Sequence, residues 1–288
     1  MKKENQILVA IDFSKCSIRA LELAITIAND CNGNILMVHV NKPHSNESVY
    51  SKKGSEHQEK IICLFDKLIK KYQGDVKGKL EYKIRKGKVH VEIANQAKYS
   101  DAFLLVAGTH GTSGFEEFWI GSNSFRFVTS APCPVITIRE GFIWKQKHIK
   151  KIVLPIDSTI ETRQKVPLTT EIAKYFDAEI HVLGLHSTNL KEVKNLVDSY
   201  TKQTIEYIET QGVKCEKHFK FCENITEGTI EYAKEINAEL ISIMTEQEKS
   251  TKNIWLGPYA QQMVNHSPIP ILTMQAKDIY DVQTKKLS

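Results

Sequence analysis

The sequence predicts an α/β fold: two tandem five-stranded parallel-sheet sandwiches, each open and doubly wound. Three observations predict it. Short, nearly all-apolar runs alternate with segments of helical periodicity, the pattern of strands buried on both faces between crossover helices. The same order recurs in the second half of the chain. A length of 288 residues, at about 150 per domain, is enough for two compact domains.

Ile7–Asp12 reads as the first buried strand. Ser14 follows as a helix N-cap, and Ile18, Leu21, Ile25 and Ala28 form one apolar face. Gly33 is expected to end that helix, and Ile35–Val40 is the second strand. A polar stretch over 41–54 leads to a charged amphipathic helix over about 55–73. Leu80–Arg85 alternates as a strand, Val89–Lys98 is helical, and Phe103–Ala107 is a further buried strand. A Gly-rich loop, a helix from about Ser122 and the strand Val135–Ile138 complete the unit. The order βαβαβαβαβ implies a parallel sheet covered on both faces.

The second half repeats it. Ile152–Asp157 matches residues 7–12, and Ile180–Leu185 matches Ile35–Val40, both at an offset of 145. Trp255-Leu256-Gly257 matches Trp119-Ile120-Gly121, and Ser267–Pro270 matches Ala131–Pro134, at an offset of 136. The second copy is therefore shorter between its second and fourth strands. A period this long is a duplicated domain, not a solenoid unit. The expected domains are 1–142 and 148–276, joined through Glu140–Lys150 and followed by a polar tail at 277–288.

Composition narrows the function classes. With 41% hydrophobic and 25% charged residues the chain is an ordinary globular one. No apolar run reaches about 18 residues, so no membrane span is expected. Met1–Gln6 leads straight into a strand without a signal-peptide pattern, which points to the cytoplasm. The net charge of +5 falls wholly in residues 1–144. That is too little, and too mixed with acid, for a nucleic-acid surface, but it favours an anionic small ligand on the first half. Six cysteines occur without a C-x-x-C pair, so they read as small buried or half-buried thiols.

In a doubly wound sheet ligands bind beyond the carboxyl ends of the strands, where strand order reverses. After the fourth strand the chain runs Gly108-Thr109-His110-Gly111, then Gly121-Ser122-Asn123: G-x2-G-x9-G-S, with Gly121-Ser122 opening a helix. Glycines leave backbone N–H groups approachable by oxyanions, and a helix N-terminus adds free donors and the positive end of its dipole. The arrangement is a polyphosphate cradle without the lysine of a P-loop.

On these residues the chain resembles a tandem universal stress protein, over about 5–140 and 149–275. Ile7–Asp12 with Ser14, His39-Val40 and the loop match the family's ATP-binding branch. The resemblance implies an adenine nucleotide α-hydrolase-like fold. It also implies ATP as ligand, with Ala10, Ile11, Asp12 and Val40 lining the adenosine end. Gly108, Gly111, Gly121, Ser122 and Asn123 would hold the phosphates. Magnesium or manganese often accompanies ATP in such proteins; no dedicated metal cage is marked in the sequence. The apolar last strands, Val135–Ile138 and Ile271–Met274, would be exposed edges in isolated domains. In the family such strands pair, which implies an internal pseudo-dimer, with a homodimer of chains also open.

The second half departs from the pattern. Met244 stands where the first has Gly108, Gln247 where it has Gly111, and Pro258 where it has Ser122, while Gly257 is kept. Bulky side chains and the missing N–H of proline spoil the cradle, and Glu246 and Glu248 add negative charge. Asp157 persists without the loop, so Asp12 has a structural role too, in an Asx turn. His110, the basic residues Lys83, Arg85, Lys86 and Lys88, and Glu116 and Glu117 read as solvated groups. Trp119 and Trp255 recur in both copies and read as packing residues.

No G-x4-G-K-[ST], G-x-G-x-x-G, H-E-x-x-H or G-x-S-x-G pattern occurs. The expectation is a nucleotide-binding regulatory protein with no catalytic residue. Slow ATP hydrolysis or phosphotransfer, and a ligand-free interaction module, are the alternatives.

Overall fold

The computed structural model describes residues 5–41, 52–109, 122–245 and 257–275, with the side chains of 52–55, 122–125 and 160 excepted. Its elements follow the alternation of the sequence. The first half carries β1 (Gln6–Ala10), α1 (Lys15–Cys31), β2 (Asn34–Asn41), α2 (Lys52–Tyr72), β3 (Leu80–Lys86), α3 (Val89–Tyr99), β4 (Leu104–Gly108), α4 (Ser122–Ser130) and β5 (Val135–Ile138). The second carries β6 (Lys151–Ile156), α5 (Val166–Phe176), β7 (Glu179–His186), α6 (Lys191–Thr210), β8 (Cys215–Phe221), α7 (Ile225–Glu235), β9 (Leu240–Met244), α8 (Pro258–His266) and β10 (Ile271–Met274). The shortening of the second copy falls mainly before α6, where 187–190 replaces 42–51.

All ten strands form one sheet, in the order β3-β2-β1-β4-β5-β10-β9-β6-β7-β8. Pairing is parallel within each half. At the junction β10 runs antiparallel to β5, with Ile271 opposite Thr137, Leu272 opposite Ile136 and Thr273 opposite Val135. Exchanging the copies at the offset of 136 maps this register onto itself. Both strands are buried along their whole length, so each apolar edge is covered by the other. Arg139 donates to the His266 carbonyl at 3.3 Å and Gln275 to the Val128 carbonyl at 2.9 Å, adding polar contacts across the junction.

Each face of the sheet carries one continuous apolar core running through both halves. Ile7, Val9, Leu21, Phe65, Ile172 and Ile208 belong to the core under α1, α2, α5 and α6. Leu8, Ile93, Phe127, Leu183, Ile230 and Met263 belong to the core under α3, α4, α7 and α8. The join at 139–150 is docked rather than free. Ile149 is fully buried, the Trp144 indole donates to Thr26 Oγ1 at 2.8 Å, and His148 Nδ1 lies 2.8 Å from Asp30.

Ser14 caps α1, accepting the Ser17 N–H at 3.1 Å. At the other end the expectation needs correcting. Asn32, not Gly33, takes the left-handed conformation (φ 51°) and donates to the Ala28 carbonyl. Gly33 is required for another reason: a Cβ there would stand 2.6 Å from the Asn5 carbonyl oxygen. Two further readings change. The strand β3 runs on through Lys86, and Arg85 is not simply solvated but pairs with Glu92 at 3.1 Å. Cys63 is exposed, on the outer side of α2, whereas Cys16, Cys31 and Cys133 are buried and Cys215 and Cys222 half-buried.

Candidate functional site

In the first half β1 pairs with β2 on one side and β4 on the other. The chain builds outward from β1 in both directions, so strand order reverses between β1 and β4. Their carboxyl ends flank the crevice in which such sheets bind ligands. Asp12 follows β1, Gly108 ends β4, and α4 begins at Ser122. Three sequence-distant segments thus converge.

Asp12 is held by an Asx turn. Its Oδ1 accepts the Ser14 N–H at 3.0 Å, while its own N–H donates to Ser17 Oγ at 3.4 Å. Between them Phe13 adopts φ 63°, a left-handed conformation unusual for a bulky residue. Its ring packs against His39 and Phe65, with centroids 5.2 and 5.0 Å away. His39 Nδ1 in turn donates to the Ile11 carbonyl at 2.8 Å. This aromatic group ties the ends of β1 and β2 to α2 and fixes the turn from the core side.

Of the residues singled out in the sequence, Ala10, Ile11, Asp12, Val40 and Gly108 lie at these strand ends. Ala10 and Asp12 are partly exposed, and Ile11 and Val40 are buried. Gly108 has a packing reason for being glycine: a Cβ there would meet Cys16 Sγ at 2.6 Å, because α1 starts directly over the end of β4. Gly111, Gly121, His110, Glu116, Glu117 and Trp119 lie outside the described residues, as do Glu246, Gln247, Glu248 and Trp255. The backbone of Ser122 and Asn123 forms the first turn of α4.

The corresponding end of the second half is built differently. Asp157 keeps the Asx turn, accepting the Thr159 N–H at 2.7 Å. The residues matching the first turn of α1 form a 3-10 helix over Ile160–Arg163, and the α-helix starts only at Val166. Lys165, in the place of the buried Ala20, is itself only 4% exposed, and its Nζ donates to Thr162 Oγ1 at 3.1 Å. Burial pushes its pKa down to about 8, against the opposing pull of Asp157. From the first turn of α8, Tyr259 carries its hydroxyl inward to 3.4 Å from Thr229 Oγ1. Burial, with Asp157 nearby, raises its pKa. The charge of Asp157, the counterpart of Asp12, acts on both Lys165 and Tyr259. Neither was singled out from sequence; a lysine at an apolar helix position and a tyrosine one residue after Pro258 were the available signals.

The sequence matches the profile described as "Universal stress protein family" twice, over residues 4–139 and 148–275. The chain belongs to the universal stress protein family. Among curated relatives, the universal stress protein YxiE of Bacillus subtilis (strain 168) is 28% identical over 153 residues, 47% of this chain and 99% of that protein. The crystal structure of a universal stress protein from Archaeoglobus fulgidus DSM 4304 superposes with a TM-score of 0.75 at 18% identity, covering 95% of this chain and 99% of that one. Protein PA1789 of Pseudomonas aeruginosa PAO1 gives 0.66 at 14% identity, covering 98% and 96%. At these identities the two structures bear on fold alone, and both extend over nearly the full tandem chain. No described helix is long and apolar enough to cross a membrane.

Proposed function

We propose that this universal stress protein is a nucleotide-binding regulatory protein whose first half holds ATP, with the second half as its built-in pairing partner. The observation that carries the reading is a coincidence of place. The G-x2-G-x9-G-S spacing of Gly108, Gly111, Gly121 and Ser122 bridges β4 to the N-terminus of α4, beside the β1/β4 reversal. A triphosphate there meets the amide donors of Gly121, Ser122 and Asn123 at the positive end of the helix. Asp12, Ala10 and the main chain of Ile11 and Val40 stand toward the nucleoside. A magnesium or manganese ion would arrive with the phosphates and neutralise them, with Asp12 the carboxylate that follows β1. In the second half α8 opens with Pro258, which has no amide to offer. What that half retains is β10, which covers the edge of β5; that is the basis for reading the copies as an internal pseudo-dimer.

Isothermal titration of the full chain with ATP is expected to give one site, and Gly121→Ala/Ser122→Ala to weaken it at least tenfold. Unchanged affinity in the double variant overturns the reading. A single-turnover incubation with labelled ATP is expected to return the nucleotide intact, as for a sensor; release of phosphate on that timescale supports an ATPase instead.

A further inference from the structure

A second polar cluster lies away from this crevice, on β7 and the edge strand β8. Parallel register sets His181 opposite Glu216 and Leu183 opposite His218. Side chains two apart on a strand share a face, so His181, Glu216 and His218 project together into the layer beneath α7. One donor atom from each falls within 4.8 Å of the other two. His218 Nε2 is 3.1 Å, and His181 Nδ1 3.8 Å, from Glu216 Oε2. Zinc bonds of 2.0–2.2 Å in a tetrahedron set ligand atoms about 3.4 Å apart, so small rotations of exposed side chains suffice to close around an ion.

We propose that His181, Glu216 and His218 form a binding site for a divalent transition-metal ion, zinc being the natural occupant, which clips the edge strand β8 to β7. Two imidazoles and a carboxylate suit zinc rather than magnesium or calcium, which favour all-oxygen sets. His181 is only 3% exposed, and its Nε2 is buried without a hydrogen-bond partner, while Glu179 Oε2 stands 3.7 Å away. A metal on Nδ1 would leave an Nε2–H facing that carboxylate, the outer partner that metal-bound histidines usually have. Tyr232 Oη, 3.1 Å from Nδ1, lies over the cluster from α7; on metal binding it would give up that nitrogen and turn to the water left for the fourth position. The first half provides an internal control: by the offsets and the register of β2 with β3, its counterparts are Leu36, Glu81, Lys83 and Gln96, which keep one ligand of the three. β8 is a sheet edge whose side chains are mostly exposed, so an ion there would tie an outer strand to its neighbour.

The test is competition of the full-length, chelator-stripped protein with a chromophoric zinc indicator. One equivalent per chain is expected. His218→Lys and His181→Leu, each the residue carried by the first half, are expected to weaken that equivalent at least tenfold, with circular dichroism reporting the fold. His148→Ala, remote from the cluster, should leave it unchanged. Zinc should raise the melting temperature of the wild type and not of His218→Lys. Failure of the wild type to compete for zinc, or equal affinity in wild type and both cluster variants, overturns the site. Neither outcome bears on ATP binding, which uses other strands.

Discussion

In the first half the chain leaves β1 through Asp12, turns at Phe13 and enters α1 at once. In the second it leaves β6 through Asp157 and passes a 3-10 helix and a buried lysine before α5 begins. The Asx turn is common to both, so it has a structural role in each copy. What differs is what stands over it. A helix start pressed on Gly108 in one copy becomes, in the other, a displaced helix start, Met244 at the end of β9, and two inward-reaching polar side chains. The comparison teaches that one turn tolerates two different helix starts: Ala20 packs as an apolar residue in the first copy, whereas Lys165 in its place is buried with a hydroxyl partner, Thr162.

The sharpest way to break this contrast is to give the first half the residue of the second. Gly108→Met forces a side chain onto Cys16, already 2.6 Å from a bare Cβ. It should destabilise the protein by about 3 kcal/mol in urea denaturation and abolish ATP binding in titration. Retention of both would show that α1 yields as α5 has. A smaller effect of opposite sign is expected in the second half. Lys165→Met removes a buried charge and should stabilise by about 2 kcal/mol at pH 7. The native-state pKa, about 8, lies below the ordinary lysine value of 10.5, so the unfolded chain binds the extra proton between them. Wild-type stability therefore rises with pH across that window relative to the variant, and the gap closes toward pH 10.5. Denaturation series at pH 7 and 9.5 check this; a constant gap would mean the lysine is not buried as a cation. The smallest effect sharpens the shared turn. Ser14→Ala removes the cap of α1 and should cost about 1 kcal/mol. Thr159→Ala, whose hydroxyl donates to Asp157 but caps no helix, should cost under about 0.5 kcal/mol in the same assay.

Much of the fold was legible because buried parallel strands are written as continuous apolar runs. Ile7–Val9, Leu104–Ala107 and Ile152–Leu154 need no partner to be recognised. The glycine spacing was legible too, but at Gly108 the structure gives it a packing reason, the Cys16 thiol 2.6 Å from where a Cβ would stand. Helix ends were less so. Gly33 looked like the C-cap of α1, but its constraint is the carbonyl of Asn5, a contact between residues far apart in sequence. Lys165 falls on Ala20 at the offset of 145, a lysine at an apolar helix position, but its burial shows only in the folded chain, where it is 4% exposed. The histidine cluster was invisible because nothing local announces it: His181 and Glu216 come from strands separated by the whole of α6.

Periodicity and the internal repeat are properties of neighbouring residues, and by themselves they determined two α/β units and the order of their elements. The joining of the units into a single ten-stranded sheet, the burial of Lys165 and the meeting of His181, Glu216 and His218 depend on strand register and helix placement. Those are decided only when distant segments compete to bury the same surface, and that competition takes place in the folded chain.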